Sequence, residues 1–138
     1  MSQGGWTDKR PMSPHIWQWR WHVTMLGSIL HRVTGVGNYI GAILAVGWLF
    51  AAASGRETYD KFADIMATPL GQLVLFGFTL SVCYHLINGL RHLVLDSGAG
   101  FEPKSASVTA WVVLVLSVVA AAAVWIFAGL VPGLSVGG

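Results

Sequence analysis

Four ionisable side chains lie at the carboxyl end of a long apolar run. The stretch SVCYHLINGLRHLVLD (81–96) contains His85, Arg91, His92 and Asp96. If this run is a membrane-spanning helix, His85 lies about 16 Å short of the end at Asp96. Arg91 and Asp96 can pair or extend to the membrane surface, but the His85 imidazole needs a partner within the hydrocarbon. That partner is either a hydroxyl or carbonyl group of a neighbouring helix, or the iron of a haem.

The spacing along the same run places a bare backbone surface near His85. His85, Gly89 and His92 fall at positions i, i+4 and i+7, which share one face of a helix. Gly89 has no side chain, so a flat and bulky group could lie against the backbone there. Close packing of a second helix explains this glycine equally well.

A second polar cluster occurs earlier, in the stretch SILHRVTG (28–35). Four of its residues share one helix face, namely Ser28, His31, Arg32 and Gly35. Arg32 could be an ordinary anchor at the membrane boundary. A guanidinium beside a hydroxyl also suits an anionic propionate or a polar carbonyl group. Because consecutive spans run antiparallel, we expect this cluster at the same depth as the end of the 81–96 run.

The composition favours a membrane protein. Of the 138 residues, 54% are hydrophobic and only 10% are charged, whereas soluble domains carry about 25% charged residues. The formal net charge is +2, without the basic stripe typical of nucleic-acid binding. The single cysteine, Cys83, has no disulfide partner within the chain, and one cysteine cannot hold an iron–sulfur cluster.

Three uncharged apolar runs are each long enough to cross about 30 Å of hydrocarbon, which takes about 20 helical residues. They cover residues 33–54, 69–90 and 107–131. We therefore predict an all-α membrane protein whose single domain, residues 1–138, contains three transmembrane helices. Their predicted bounds are about 27–54, 69–96 and 106–131. The connection 55–68 is short, and we expect no more than a surface turn of helix there.

Local signals mark the helix ends. Ser54 and Gly55 predict the end of the first helix, whereas Thr68 as N-cap and Pro69 at the first helical position predict the start of the second. The next connection has glycines that end a helix and serines that can cap one: Gly98 and Gly100, then Ser105 or Ser107. Small residues at four-residue steps in the first helix, Gly37, Gly41 and Ala45, are typical of helix packing in membranes.

The distribution of basic residues predicts the orientation. Six of the eight fall on one side of the three spans: Lys9, Arg10, Arg20, Arg32, Arg91 and Lys104. The positive-inside rule makes this side cytoplasmic or its organellar equivalent, with the amino terminus inside and the carboxyl terminus outside. Tryptophans around Arg20 predict an interfacial segment before the first helix; they are Trp17, Trp19 and Trp21.

Taken together, three motifs resemble a known family. The stretch 10–35 contains R-P-x-S-P-H and S-I-x-H-R-x-T-G, and the stretch 85–96 contains H-x-x-x-G-x-R-H-x-x-x-D. Across residues 10–131 the sequence resembles the cytochrome b556 membrane anchors of succinate dehydrogenase. One departure is Trp19, where members of this family often have a tyrosine.

The resemblance implies a haem b site. His85 would be the axial ligand to the iron, and the second axial histidine would come from a companion anchor subunit. His31 and Arg32 would lie near the haem propionates, with His92 in the same neighbourhood. His31 as a second ligand from the same chain is the competing arrangement, but its position at the inner boundary better suits a propionate contact.

The resemblance also implies a ubiquinone site. Ser28 and Arg32 would bind the quinone, with Trp21 and Met25 as walls of the site. Asp96 would support this site or pair with a nearby base.

The implied partners are the second membrane anchor, an iron–sulfur subunit and a flavoprotein subunit. Electrons from succinate would reach the quinone through these subunits, because the chain has no succinate-oxidising site of its own. The implied location is the bacterial cytoplasmic membrane or the mitochondrial inner membrane. Two alternatives stay open: an anchor of a quinol:fumarate reductase, and a membrane scaffold without haem.

Overall fold

The computed structural model describes residues 22–98, 100 and 102–129, which form an all-helical structure. Its four helices are α1 (Val23–Ala53), α2 (Arg56–Ala67), α3 (Pro69–Asp96) and α4 (Pro103–Phe127). Three of these, α1, α3 and most of α4, are long and apolar enough to cross a membrane. The prediction of three spans is thus confirmed. The predicted interfacial segment, with Trp21, lies outside the described residues.

The ends of α1 and α3 follow the local signals. Ser54 is the C-cap of α1, although the helix begins at Val23, earlier than predicted. The Thr68 hydroxyl accepts a hydrogen bond from the Gly71 N–H at 3.2 Å, with Pro69 at the start of α3. The predicted bounds 69–96 are those observed.

The start of α4 differs from the prediction. The helix begins at Pro103 with Glu102 as N-cap, so Ser105 and Ser107 lie within the helix and do not cap it. A proline is favourable at the first helical position because the N–H it lacks has no partner there in any case. The helix ends at Phe127, before the predicted bound, and Gly129 follows with a positive φ of 67°.

The connection between α1 and α3 contains more helix than predicted. The segment forms α2, a helix of 12 residues that starts after Gly55, whose φ is 107°. Two exposed ion pairs, Arg56–Asp60 and Lys61–Glu57, join side chains four residues apart on this helix. On its other face, Phe62 and Met66 line an apolar cavity of about 430 Å³ shared with α1 and α3. This packing supports α2 beyond the single turn that we expected.

Helix α3 packs against both α1 and α4. The contact with α1 uses bare glycine backbone: Gly41 is buried, and a Cβ there would overlap the ring of Phe78. One turn earlier, Gly37 faces the Ser81 hydroxyl. This close approach of α1 and α3 brings their polar residues together.

Candidate functional site

Three histidines from two helices meet at the α1–α3 contact. The rings of His31 on α1 and His85 on α3 are stacked, with centroids 4.0 Å apart and planes within 7°. The His92 ring lies 5.1 Å from that of His31, tilted by 59°. The two clusters predicted to share a depth are therefore adjacent in the structure.

Two glycines make room for these rings. A Cβ at Gly35 would lie 3.3 Å from Cε1 of His85, and a Cβ at Gly89 would lie 3.9 Å from Nε2 of His31. Each imidazole thus lies against the opposing helix where that helix has no side chain. In this structure the group nearest to the bare backbone of Gly89 is the His31 ring.

Helix α1 also supplies hydrogen-bond partners for His85. Nδ1 of His85 is 3.2 Å from the His31 carbonyl oxygen and 3.4 Å from the Thr34 hydroxyl oxygen. A carbonyl oxygen only accepts, so we assign the ring hydrogen to Nδ1. Nε2 is then the nitrogen with the free lone pair, which is the form of imidazole that binds metal ions.

Two buried side-chain nitrogens have no hydrogen-bond partner among the described residues. They are Nε2 of His31 and Nδ2 of Asn88, the latter in a side chain that is 1% exposed. Leaving such a group unpaired costs about 1–3 kcal/mol. The His31 nitrogen therefore suits a polar group supplied by a ligand or a partner subunit.

The polar contacts continue deeper into the α1–α3 interface. The Ser81 hydroxyl is 2.7 Å from Oδ1 of Asn38 and 3.0 Å from the Thr34 carbonyl oxygen. The sequence analysis missed these residues. Their signal is the repeated spacing of four, Thr34 to Asn38 on α1 and Ser81 to His85 on α3.

Arg91 has a different role from the one expected. Its guanidinium donates to the Thr109 hydroxyl through Nε and to the Ala106 carbonyl through Nη2, both at 3.0 Å. It therefore joins α3 to α4 instead of reaching the surface or pairing with Asp96. Asp96 is exposed and has no ion-pair partner among the residues that the structure describes.

The residues predicted to bind quinone lie mainly in the first turns of α1. Met25 and Ser28 are half-buried there, and Arg32 is exposed one turn after Ser28. Within the described part of the chain, no hydrogen bond joins the Ser28 and Arg32 side chains. Trp21 lies outside the described residues. Nearby, the buried Tyr84 hydroxyl donates to the Gly27 carbonyl at 2.9 Å, which ties this part of α1 to α3.

A comparison with known families identifies the chain. The family described as succinate dehydrogenase/fumarate reductase transmembrane subunit matches residues 7–124. The chain belongs to this family. The matched region includes α1, α2 and α3 and most of α4, so the histidine cluster lies wholly within it.

Individual relatives agree with the family match. A succinate dehydrogenase cytochrome b556 subunit of Rickettsia prowazekii is 35% identical over 120 residues, covering 86% of this chain and 93% of the relative. The subunit of that name from Paracoccus denitrificans is 34% identical, covering 81% and 86%. A mitochondrial cytochrome b560 subunit of Sus scrofa is 32% identical, covering 80% and 67%. These relatives confirm both the resemblance and a membrane location; the first two are bacterial proteins and the third is mitochondrial.

Proposed function

We propose that this family member is the haem b-binding membrane anchor of a succinate:quinone oxidoreductase and forms part of its quinone site. One observation carries the proposal: Nδ1 of His85 faces two acceptors on α1, so Nε2 keeps its lone pair. The hydroxyl and carbonyl partners expected from a neighbouring helix thus serve Nδ1 alone, and Nε2 stays available as the donor to an iron. The names of the bacterial relatives, cytochrome b556 subunits, add independent support.

The donor set fits a haem b. His85 would bind the iron through Nε2, and a histidine of the companion anchor would complete the axial pair. His31, Arg32 and His92 would contact the propionates, for which the unpartnered Nε2 of His31 is a suitable donor. When bound, the haem supplies a one-electron centre between the subunits.

The quinone would bind at the amino-terminal end of α1. The Ser28 hydroxyl and the Arg32 guanidinium would donate hydrogen bonds to a quinone oxygen and stabilise the negative charge that develops there on reduction. Met25 and Trp21 would form walls of the site, and Asp96 would support it. Protons would arrive from the adjacent aqueous side.

The charge distribution supports the proposed orientation, and the family resemblance implies the partners. The positive-inside rule places the amino terminus, the histidine cluster and the quinone site toward the cytoplasmic or matrix side. An iron–sulfur subunit would dock on that side and carry the flavoprotein subunit. The chain would act as one domain, 1–138, without succinate chemistry of its own. The family description includes fumarate reductases, but the names of the reported relatives favour succinate oxidation.

The test is haem content in the assembled complex. The chain is co-expressed with its neighbouring subunits, and haem is measured per flavin together with the reduced-minus-oxidised spectrum. We expect bis-histidine haem in the wild type and its loss in His85→Ala. The control is Cys83→Ala, a half-buried position on the same helix, which should keep its haem. A haem-free wild-type complex, or full bis-histidine haem in His85→Ala, would overturn the proposal.

A further inference from the structure

We infer that Thr34 is a positioning residue for His85: together with the His31 carbonyl, its hydroxyl holds the imidazole in the Nδ1–H form, which leaves the lone pair on Nε2. This inference rests on the proposed role of His85 as the haem ligand. It adds a residue of the opposite helix that touches neither iron nor quinone. The geometry of four hydrogen bonds and one glycine contact carries it.

The Thr34 hydroxyl is itself oriented by the backbone. Its oxygen is 2.7 Å from the Leu30 carbonyl oxygen and 3.1 Å from that of His31. Both neighbours can only accept, so the hydroxyl hydrogen is committed to them. The oxygen lone pairs therefore remain to accept from His85 Nδ1 at 3.4 Å.

Two acceptors on α1 act on the same ring nitrogen. The His31 carbonyl is the nearer, at 3.2 Å, and the Thr34 hydroxyl is the second. The bare backbone at Gly35 lets the ring edge approach, since a Cβ there would lie 3.3 Å from Cε1. The ring position is thus set by α1, although the residue belongs to α3.

This arrangement has a chemical consequence for a metal-binding imidazole. When the ring nitrogen that does not bind the metal, here Nδ1, donates a hydrogen bond, the metal-binding nitrogen Nε2 becomes more basic and the ring orientation is fixed. A more basic ligand favours the higher oxidation state of iron. Removing the Thr34 acceptor should therefore weaken haem retention and move the haem midpoint potential in the positive direction.

The experiment compares two substitutions in the co-expressed complex. Thr34→Val keeps the branched shape without the hydroxyl, and Thr34→Ser keeps the hydroxyl. The control is Thr79→Val, which removes a hydroxyl that likewise bonds a carbonyl four residues earlier, that of Leu75 at 2.8 Å, and accepts from another helix, from Nε1 of Trp125 at 3.2 Å, with no contact to His85. Haem per flavin, its retention during washing and its midpoint potential are measured for each assembled complex.

We expect about tenfold weaker haem retention and a positive shift of the midpoint potential in Thr34→Val, the lower end of the 10–100-fold range for loss of an outer partner, because the His31 carbonyl still accepts from Nδ1. Thr34→Ser and Thr79→Val should resemble the wild type. Wild-type retention and potential in Thr34→Val would overturn this inference while leaving His85 as ligand. Unchanged haem in His85→Ala would instead refute the proposed function itself.

Discussion

Both ring nitrogens of an imidazole within hydrocarbon need a partner. His85 and His31 differ in the partners that their nitrogens have. His85 has acceptors for Nδ1 on α1, whereas Nε2 of His31 is buried without a partner among the described residues. The two rings are stacked with their centroids 4.0 Å apart. In the proposed function, His85 is the ligand through Nε2, and His31 is a hydrogen-bond donor toward a bound anion.

The proposed quinone site gives a prediction at the level of single residues. Arg32→Leu should lower quinone reduction by about tenfold or more, because a donor to the developing negative charge is lost. Succinate oxidation with an artificial electron acceptor should stay unchanged, because the proposed function assigns that chemistry to other subunits. Both rates are measured on the same purified complex.

The matched control for Arg32→Leu is Arg56→Leu, which removes another exposed arginine beyond the opposite end of α1. Its quinone reduction should equal that of the wild type. Equal rates in the two variants would move the quinone site away from the start of α1.

At the level of helices, the separation between α1 and α3 is set by glycine. Gly41 is buried beneath the Phe78 ring, so any side chain there forces the helices apart or displaces the ring. The same contact line contains the hydrogen bond between Ser81 and Asn38. A substitution that moves α1 away from α3 at Gly41 should therefore also lengthen the polar contacts between the two helices.

This coupling predicts the effect of one methyl group. Gly41→Ala should lower the stability of the assembled protein in detergent by about 1–3 kcal/mol, the usual effect of overpacking. Gly77→Ala is the control, because nothing lies within 4 Å of a Cβ at that helical position. Thermal unfolding followed by circular dichroism measures both. Equal midpoints in the two variants would contradict the close α1–α3 packing.

Helix bounds were predictable where one local signal dominated. Thr68 and Pro69 define the start of α3 because a side-chain cap and a proline act together. The start of α4 differs from the prediction because Ser105 and Ser107 resemble caps, whereas Pro103 at the first helical position is the residue that begins the helix.

The site was predictable only in part. Periodicity places His31 on one face of α1 and His85 on one face of α3, but it does not give the register between the two helices. For this reason Thr34 and Ser81, whose partners lie on the opposite helix, were not identified. Arg91 was misjudged similarly, since its acceptors belong to α4.

For the whole molecule, the open question with a direct test is which way the bundle faces. Lys61 and Ser97 are both exposed. Lys61 is on α2, which precedes the start of α3, and Ser97 follows the end of α3. In a Cys83→Ala background, Lys61→Cys should react with a membrane-impermeant maleimide added to intact cells. Ser97→Cys should react only after permeabilisation, and the reverse pattern would contradict the proposed orientation.

The polar contacts between α1 and α3 have a consequence for biogenesis. Alone in lipid, α1 would expose the Asn38 amide, and α3 would expose the Ser81 hydroxyl and the His85 ring, without the partners they have here. Unpaired polar groups in hydrocarbon are costly. We therefore expect α1 and α3 to leave the translocon together, as a hairpin whose polar groups are already paired. In the proposed function, haem would then bind later, once the hairpin has oriented the His85 imidazole.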